Sequence, residues 1–187
     1  MAEGIILAAG YASRAQANKL LFLHKDQALI DYAIQGMKPF VNHIYVVTGH
    51  YDIDIENHLK DLTYVTCVKN PLYHEGMFSS VQSGVEMTTE DFFIHPGDCP
   101  FVSETTYQAL LKGTKQIRVP TYKQRKGHPL FVAKELKEAL LSEPRDSTLK
   151  AFRDRYDVEM IENNDPNMLF DIDTPADLDR LKKQTGV

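Results

Sequence analysis

The sequence predicts an α/β fold with three layers, in which a mostly parallel sheet lies between helices. Short, nearly continuous apolar runs rich in β-branched residues recur along the chain, as in parallel strands whose two faces are both covered. Segments with helical spacing lie between these runs, and this alternation is typical of a doubly wound sheet. The chain has 187 residues, a length that suits one domain, so we expect residues 1–187 to form a single unit.

Four strands are predicted in the first half of the chain, at residues 4–9, 43–49, 64–68 and 91–98. Helices are predicted between them, wherever apolar residues share one helical face. In chain order these faces contain Leu29, Tyr32, Ala33 and Met37; then Ile53, Ile55 and Leu59; then Val81 and Val85 beside the small Ser80 and Gly84.

The alternation of strands and helices loosens in the second half. Residues 117–122 and 128–133 resemble two strands, and the charged turn KQRKG between them predicts a hairpin at the edge of the sheet. The remaining predicted elements are helices at 133–143 and 147–156, a strand at 157–162, and a last helix that begins at Thr174 with Asp177 completing a capping box.

Composition limits the classes of partner. Hydrophobic residues make up 43% of the chain and charged residues 25%, which is an ordinary globular mixture. The net charge is −5 and there is no basic block, so we do not expect nucleic acid or an anionic membrane as a partner. A small polyanion remains compatible with the sequence, because a few local cations and backbone amides suffice to bind one.

The sequence favours a cytoplasmic protein. Its first residues, MAEGIILAAG, include an acidic residue and no basic segment before the apolar run, and no apolar stretch approaches the roughly 20 residues that span a bilayer. The two cysteines, Cys67 and Cys99, form no C-x-x-C pair, which fits a reducing compartment. The seven histidines show no H-x-x-x-H spacing, so a structural zinc site is not expected.

The loop after the first strand is the first candidate site. Gly10 permits a sharp turn, and the small residues around it leave backbone amides accessible to an anion. Arg14 and Lys19 then offer charge-assisted hydrogen bonds of the kind that a triphosphate accepts. The alternative is a solvated loop with two surface cations. Neither a dinucleotide fingerprint nor a Walker loop is present.

Acidic residues form the second candidate site. Asp98 follows an apolar strand in the segment PGDCP, where its carboxylate is available to a hard cation such as Mg²⁺. Asp171 and Asp173 are alternate residues of an extended segment, so their side chains point to opposite faces and one of them can face the same site. For each aspartate, a turn or solvated role is an equal alternative. His95 is expected in the core, and Cys99 is expected to pack there.

Two further segments are compatible with ligand binding. Gly76, Ser79 and Ser80 open a predicted helix, where hydroxyl groups either cap the helix or leave room for a ribose or a base. The other segment consists of Gly127, His128 and Pro129. It is either a simple turn before a strand or a loop that faces a second substrate.

Five motifs together resemble the molybdenum cofactor cytidylyltransferase family, within the wider group of sugar-nucleotide-type nucleotidyltransferases. They occur in that family's order and span nearly the whole chain. The resemblance implies a Rossmann-like nucleotidyltransferase fold. It also implies the transfer of a nucleoside monophosphate, CMP from CTP in the named family, to a phosphorylated acceptor with release of pyrophosphate. The motifs are LAAGxxxR…K at 7–19, GMFSSVQSG at 76–84, GDCP at 97–100, GHPLF at 127–131 and DIDTPADL at 171–178.

The resemblance also assigns roles to individual residues. Arg14, Lys19 and Asp98 correspond to catalytic residues, and Asp98 with Asp173, or Asp171 beside it, to ligands of Mg²⁺. The acceptor is implied to be molybdopterin-type and to face Gly127, His128 and Pro129, with a molybdoenzyme as a possible client. The nucleotide contacts implied are Leu7, Ala8, Ala9, Gly10, Arg14, Lys19, Gly76, Ser79 and Ser80.

The opening loop departs from the family's usual LAAGxSxRMGxxK. Ala12, Ala15 and Gln16 replace its serine, methionine and second glycine, and a Gln at φ > 0 would cost on the order of 1 kcal/mol. Alternatives are therefore a related transferase that uses GTP or another acceptor, such as a sugar phosphate or phospholactate, and a non-catalytic protein that binds a nucleotide or cofactor during maturation. An NAD-dependent enzyme is disfavoured, because its glycine fingerprint is missing.

Overall fold

The fold is that of a computed structural model, which describes residues 1–10, 18–174 and 176–177. Six α-helices are described: α1 Leu29–Met37, α2 Asp52–Leu59, α3 Met77–Met87, α4 Glu104–Lys112, α5 Lys137–Leu141 and α6 Leu149–Arg153. The strands are β1 Ala2–Ala8, β2 Leu23–His24, β3 Gln27–Ala28, β4 Val41–Thr48, β5 Val65–Lys69, β6 Phe92–Pro96, β7 Ile117–Tyr122, β8 Arg125–Lys126, β9 Leu130–Val132 and β10 Val158–Glu162. Short 3₁₀ turns are described at Lys19–Leu21, Lys38–Phe40, Tyr73–Glu75, Lys134–Leu136 and Pro166–Leu169.

One mixed, mostly parallel sheet forms the middle of the molecule. Its strand order is β10-β7-β9-β6-β1-β4-β5, with β8 paired to β7, while β2 and β3 form a separate small ribbon. Strand β1 pairs in parallel with β4 on one side and with β6 on the other. Strand β9 is antiparallel to both of its neighbours. The predicted α/β sheet is therefore confirmed.

Helices cover both faces of the sheet. Alternate residues of β1 point to opposite faces, so the strand contributes to the core on each side. Ile6 packs in one core cluster with apolar residues of α1, α2 and α4. Ile5 packs in a second cluster with apolar residues of α3, α5 and α6. Both isoleucines are completely buried, which is why β1 reads as a continuous apolar run and confirms the three-layer arrangement. None of the helices in the described part of the chain is long and apolar enough to cross a membrane.

The prediction that residues 117–122 and 128–133 form a hairpin at the edge of the sheet is wrong about its position. Strands β7 and β9 do pair in antiparallel, but β9 lies between β6 and β7, and β10 forms the edge. The turn is also tighter than predicted, because β8 folds back onto β7 through Lys123 and Gln124, which have φ values of 49° and 64°. Two consecutive left-handed residues are typical of a two-residue hairpin turn.

Two other sequence predictions need correction, and one helix was missed. Ile53 was predicted on the buried face of α2, but its side chain is 65% exposed. The buried face of this helix consists of Ile55 and Leu59. The helix predicted at 133–143 is a 3₁₀ turn followed by the five residues of α5. Helix α4 was not predicted, although it buries Tyr107 and Leu110.

His95 is a core histidine, as predicted from the apolar strand around it. It is fully buried, and Tyr107 donates its hydroxyl hydrogen to Nδ1 at 2.8 Å. Burial lowers the pKa of His95 to about 4, so the ring is neutral and its Nε2 hydrogen is donated to the carbonyl of Cys99 at 2.8 Å. This bond fixes the backbone immediately after Asp98.

Helix α3 approaches the sheet closely at Gly84. A Cβ atom on this residue would lie 2.5 Å from Cγ2 of Ile5 and 2.9 Å from Cγ2 of Val47. The close contact brings the first turn of α3 against the end of β1, where the candidate site lies.

We predict that Gly84→Ala lowers the free energy of unfolding by about 1–3 kcal/mol, because the added methyl group overpacks the contact with β1. The loss should occur although alanine favours helices over glycine by about 1 kcal/mol. Urea denaturation of the two proteins measures the difference. Ser83→Ala on the same helix is the matched control and should change stability by no more than about 0.5 kcal/mol. A Gly84→Ala protein as stable as this control would contradict the packing argument.

Candidate functional site

A cavity of about 250 Å³ opens where β1 and β6 end and α3 begins. The backbone amide of Gly97 donates to the carbonyl of Leu7 at 2.9 Å, which holds the two strand ends together. The edge at which parallel strands end is the usual ligand site of open α/β sheets. The cavity lining includes six residues singled out from the sequence: Leu7, Ala9, Gly10, Gly76, Ser80 and Asp98.

Among the described residues, three predicted nucleotide contacts do not line this cavity, namely Ala8, Ser79 and Lys19. Ala8 points into the core on the opposite face of β1 and is 4% exposed. Ser79 is also 4% exposed, and it lines a different cavity beside α3. Arg14, together with the replaced positions Ala12, Ala15 and Gln16, lies outside the described residues.

Lys19 forms ion pairs with Asp98, which lines the cavity, and with Asp173. Its Nζ lies 2.7 Å from Oδ2 of Asp98 and 2.6 Å from Oδ1 of Asp173. Burial of the ammonium opposes its charge, but the hydrogen bonds to Asp173 and Asp98 outweigh this effect and raise the pKa of Lys19. The two acidic segments, far apart in sequence, therefore converge on a single cation.

Hydrogen bonds of nearby backbone amides position Lys19, Asp98 and Asp173. Asn18 caps the 3₁₀ turn that carries Lys19, since its Oδ1 accepts a hydrogen bond from the amide of Leu20 at 3.2 Å. The amide of Ile172 donates to the carbonyl of Asp98 at 2.9 Å, which aligns the C-terminal acidic segment with the end of β6. The capping box predicted at Thr174 is confirmed, because Asp177 Oδ2 accepts from the amide of Thr174 at 2.9 Å.

Asn70 organises the start of α3 and was not identified from the sequence. Its Nδ2 donates to the hydroxyl oxygens of Ser79 at 2.9 Å and of Ser80 at 3.0 Å. Its Oδ1 accepts from the amide of Leu72 at 2.9 Å. Gly76, with φ at 114°, provides the left-handed backbone that begins the helix. An Asn-Pro pair directly after β5 is the turn signal that was available in the sequence.

We predict that Asn70→Ala lowers the free energy of unfolding by about 1–3 kcal/mol, because it removes the hydrogen-bond partner of two buried hydroxyl groups. Chemical denaturation measures the loss. Asn42→Ala, at an exposed position of β4, is the matched control and should be nearly neutral. Equal stability of the two variants would show that the Asn70 amide does not hold the start of α3.

Cys99, His128 and Asp171 form a second cluster beside the acidic pair. One possible ligand atom of each residue lies within 4.8 Å of the others. The Cys99 thiol donates to Oδ1 of Asp171 at 2.8 Å. Burial raises the pKa of Cys99 well above its usual value and lowers the pKa of His128. Cys99 does pack in the core, as predicted, but its thiol also contacts a polar group.

The segment Gly127–Pro129 reaches this cluster through a close backbone approach. The amide of Gly127 donates to Pro120, and that of His128 donates to Met168 at 3.0 Å. A Cβ on Gly127 would lie 2.7 Å from the Met168 carbonyl oxygen, so a larger residue would separate the two chains. Asp171 and Asp173 indeed point in different directions, toward Cys99 and toward Lys19 respectively. Cys99, His128 and Asp171 are far apart in the sequence, so their spacing did not predict this cluster.

The fold and the site define an α/β protein with a cavity at the ends of parallel strands, next to a lysine and two carboxylates. Residues 4–160 match the family described as the MobA-like NTP transferase domain. The chain belongs to this family and is a nucleotidyltransferase. The molybdenum cofactor cytidylyltransferase of Escherichia coli K12 is 28% identical over 186 residues, which cover 96% of this chain and 95% of that protein.

Two other proteins are similar over almost their whole length. A probable molybdenum cofactor guanylyltransferase of Natranaerobius thermophilus is 26% identical over 204 residues, covering 98% of this chain and 96% of that protein. A solved nucleotidyl transferase from Methanothermobacter thermautotroptrophicus superposes with a TM-score of 0.83 at 21% identity, covering 98% of this chain and 97% of that one. The last comparison supports the fold alone.

Proposed function

We propose that the protein transfers CMP from CTP to the phosphate of a molybdopterin-type acceptor, the molybdenum cofactor, with Mg²⁺ bound and with release of pyrophosphate. The observation that carries this proposal is the convergence of Lys19 and Asp173 on Asp98, which lines a cavity at the end of β1. The cytidylyltransferase of Escherichia coli supports the choice of CTP and of the acceptor. We further propose that residues 1–187 act as one such unit.

The pair Asp98 and Asp173 fits a hard dication. Both carboxylates already hold one cation between them, the Lys19 ammonium. A hard cation such as Mg²⁺ takes one or two carboxylates and leaves its other positions to water and phosphate oxygens. When bound there, Mg²⁺ would supply positive charge that stabilises the transferred phosphoryl group. Asp171 is the less suitable partner, because it faces Cys99.

The cavity lining suits a nucleoside triphosphate. Met77 and Ser80 of the first turn of α3 lie in the lining, and a helix N-terminus attracts phosphate through its free amides. We assign the backbone of Leu7 to Gly10 to the phosphates, with Ala8 contributing main-chain groups only. Ser80 and Gly76 are assigned to the ribose or base. Ser79 has an indirect part in nucleotide binding, because its hydroxyl hydrogen-bonds Asn70 inside the protein.

The chain's cations neutralise the leaving group in this proposal. An oxygen of the acceptor phosphate attacks the α-phosphorus of CTP, and the bond from that phosphorus to the bridging oxygen breaks as pyrophosphate leaves. Lys19, released from the two aspartates when nucleotide and metal enter, and Arg14 offset the charge that develops on pyrophosphate. Positioning and charge suffice, so no side-chain nucleophile is required. Gly127, His128 and Pro129 are assigned to the acceptor.

We predict that Asp98→Asn and Asp173→Asn each lower the rate of nucleotidyl transfer by about 100-fold or more, because each removes a charge on which the reacting phosphates depend. Pyrophosphate release with CTP, Mg²⁺ and a molybdopterin-type acceptor is the measurement. Asp157→Asn is the matched control, since its side chain is 82% exposed, and it should keep full activity. Failure of the unmodified protein to release pyrophosphate with any nucleotide and acceptor would refute the enzyme proposal.

We predict that CTP with Mg²⁺ raises the melting temperature more than GTP does. A ligand present at 100 times its dissociation constant stabilises the folded state by about 2.7 kcal/mol. Thermal denaturation with each nucleotide, with and without Mg²⁺, measures the effect, and Lys19→Met should abolish it. A larger shift with GTP would assign the protein to guanylyl transfer, as in the Natranaerobius relative. Metal-dependent binding without any turnover would favour a non-catalytic maturation protein.

A further inference from the structure

We propose that Cys99, His128 and Asp171 form a binding site for a thiophilic divalent metal ion of the zinc class. The three residues come from three distant segments, and one ligand atom of each lies within 4.8 Å of the other two. Thiolate, imidazole and carboxylate are the three protein ligands that Zn²⁺ takes. The site goes beyond nucleotidyl transfer and does not depend on it.

Backbone hydrogen bonds hold the three ligand segments together. The Cys99 carbonyl accepts from Nε2 of the buried His95, and the Cys99 amide donates to Pro96 at 3.1 Å. The His128 amide donates to the carbonyl of Met168, which lies in the short 3₁₀ turn Pro166–Leu169 just before the Asp171 segment. The amide of Ile172 in turn donates to Asp98. The backbone beside each ligand residue is thus held by hydrogen bonds. Metal binding therefore costs little additional conformational entropy of the chain.

The side chains can reach tetrahedral geometry with a small shift. Around Zn²⁺, with bonds of about 2.3 Å to sulfur and about 2.0–2.2 Å to nitrogen and oxygen, neighbouring ligand atoms lie about 3.4–3.6 Å apart. Sγ of Cys99 and Oδ1 of Asp171 lie 2.8 Å apart, with the thiol hydrogen between them. The ion replaces this proton, which leaves to solvent, and Asp171 is exposed and free to move outward.

The thiol–carboxylate hydrogen bond explains two of the three residues without a metal, but it does not involve His128. Within the described residues, neither ring nitrogen of His128 forms a hydrogen bond. The ring is nevertheless half-buried, with one nitrogen within 4.8 Å of the Cys99 sulfur. An imidazole in this position is available to coordinate. Three protein ligands leave a fourth position open to water or to a small ligand.

The chemistry of this cluster differs from that of the neighbouring Asp98–Asp173 pair. That pair offers only oxygen ligands, which suit Mg²⁺, and it is neutralised by Lys19. Sulfur and imidazole instead select Zn²⁺ and similar ions over Mg²⁺. The side chains of Asp171 and Asp173 point in different directions along the extended segment. Asp171 contacts Cys99 and Asp173 contacts Lys19, so the two aspartates belong to different sites.

The test uses the full chain without a polyhistidine tag, reduced and freed of metal with a chelator. Titration with Co²⁺ should give one equivalent of bound metal with a thiolate-to-cobalt charge-transfer absorption in the near ultraviolet, and Zn²⁺ should displace it while Mg²⁺ should not. Asp171→Asn, at an exposed position, should weaken Zn²⁺ binding by about tenfold or more without affecting folding.

The variants separate this site from the rest of the protein. Cys99→Ser should abolish the absorption and His128→Gln should weaken it, with circular dichroism checking that both fold. The matched control Cys67→Ser and the Asp173→Asn variant should keep it. The proposal is overturned if the unmodified protein shows no such absorption, if the absorption survives Cys99→Ser, if Cys67→Ser removes it, or if Mg²⁺ competes as well as Zn²⁺. Nucleotidyl transfer is assayed separately, so a failure there leaves this result unaffected.

Discussion

Parallel pairing of β1 with β4 and with β6 is the constraint on which the rest of the structure depends. It makes β1 a central strand that is buried on both faces, and it sets the ends of three strands at one edge of the sheet. The amide of Gly97 joins the end of β6 to that of β1, and the amide of Asn70 joins the segment after β5 to Thr48 at the end of β4. Asp98 closely follows one of these strand ends, and the segment that carries Asp173 is hydrogen-bonded to the same end.

Electrostatics then decides how the site can behave. Asp98 and Asp173 carry like charges close together, and Lys19 compensates both of them. A triphosphate competes with the aspartates for this lysine, whereas a dication competes with the lysine for the aspartates. Nucleotide and metal together therefore satisfy all three residues, while either one alone leaves a charge uncompensated. The proposed reaction needs both ligands for the same reason.

Local sequence patterns predicted the layers of the fold and the strands of its parallel part, but not the position of every strand in the sheet. The continuous apolar runs identified the strands of the parallel part, because burial on both faces leaves a clear pattern in the composition. The position of β9 inside the sheet was missed, since a hairpin signal describes a turn and two neighbouring strands but not what pairs beyond them. Ile53 was misplaced because α2 has few apolar residues from which to define a face.

The site was predictable to a similar degree. Motifs identified Lys19, Asp98 and Asp173, which the fold brings together, whereas Asn70 and the cluster of Cys99 with its two neighbours depend on contacts between distant segments. Such contacts have no fixed spacing in a sequence. Arg14 stays a prediction, because it lies outside the described residues.

The route of the chain also determines when the site becomes complete during synthesis. The last strand described ends at Glu162, yet Asp171 and Asp173 come later and return to the end of β6. A nascent chain on the ribosome can therefore contain every described strand while lacking both carboxylates. A chain that stopped after β10 would keep the described sheet but lack both carboxylates that the proposed reaction assigns to this site.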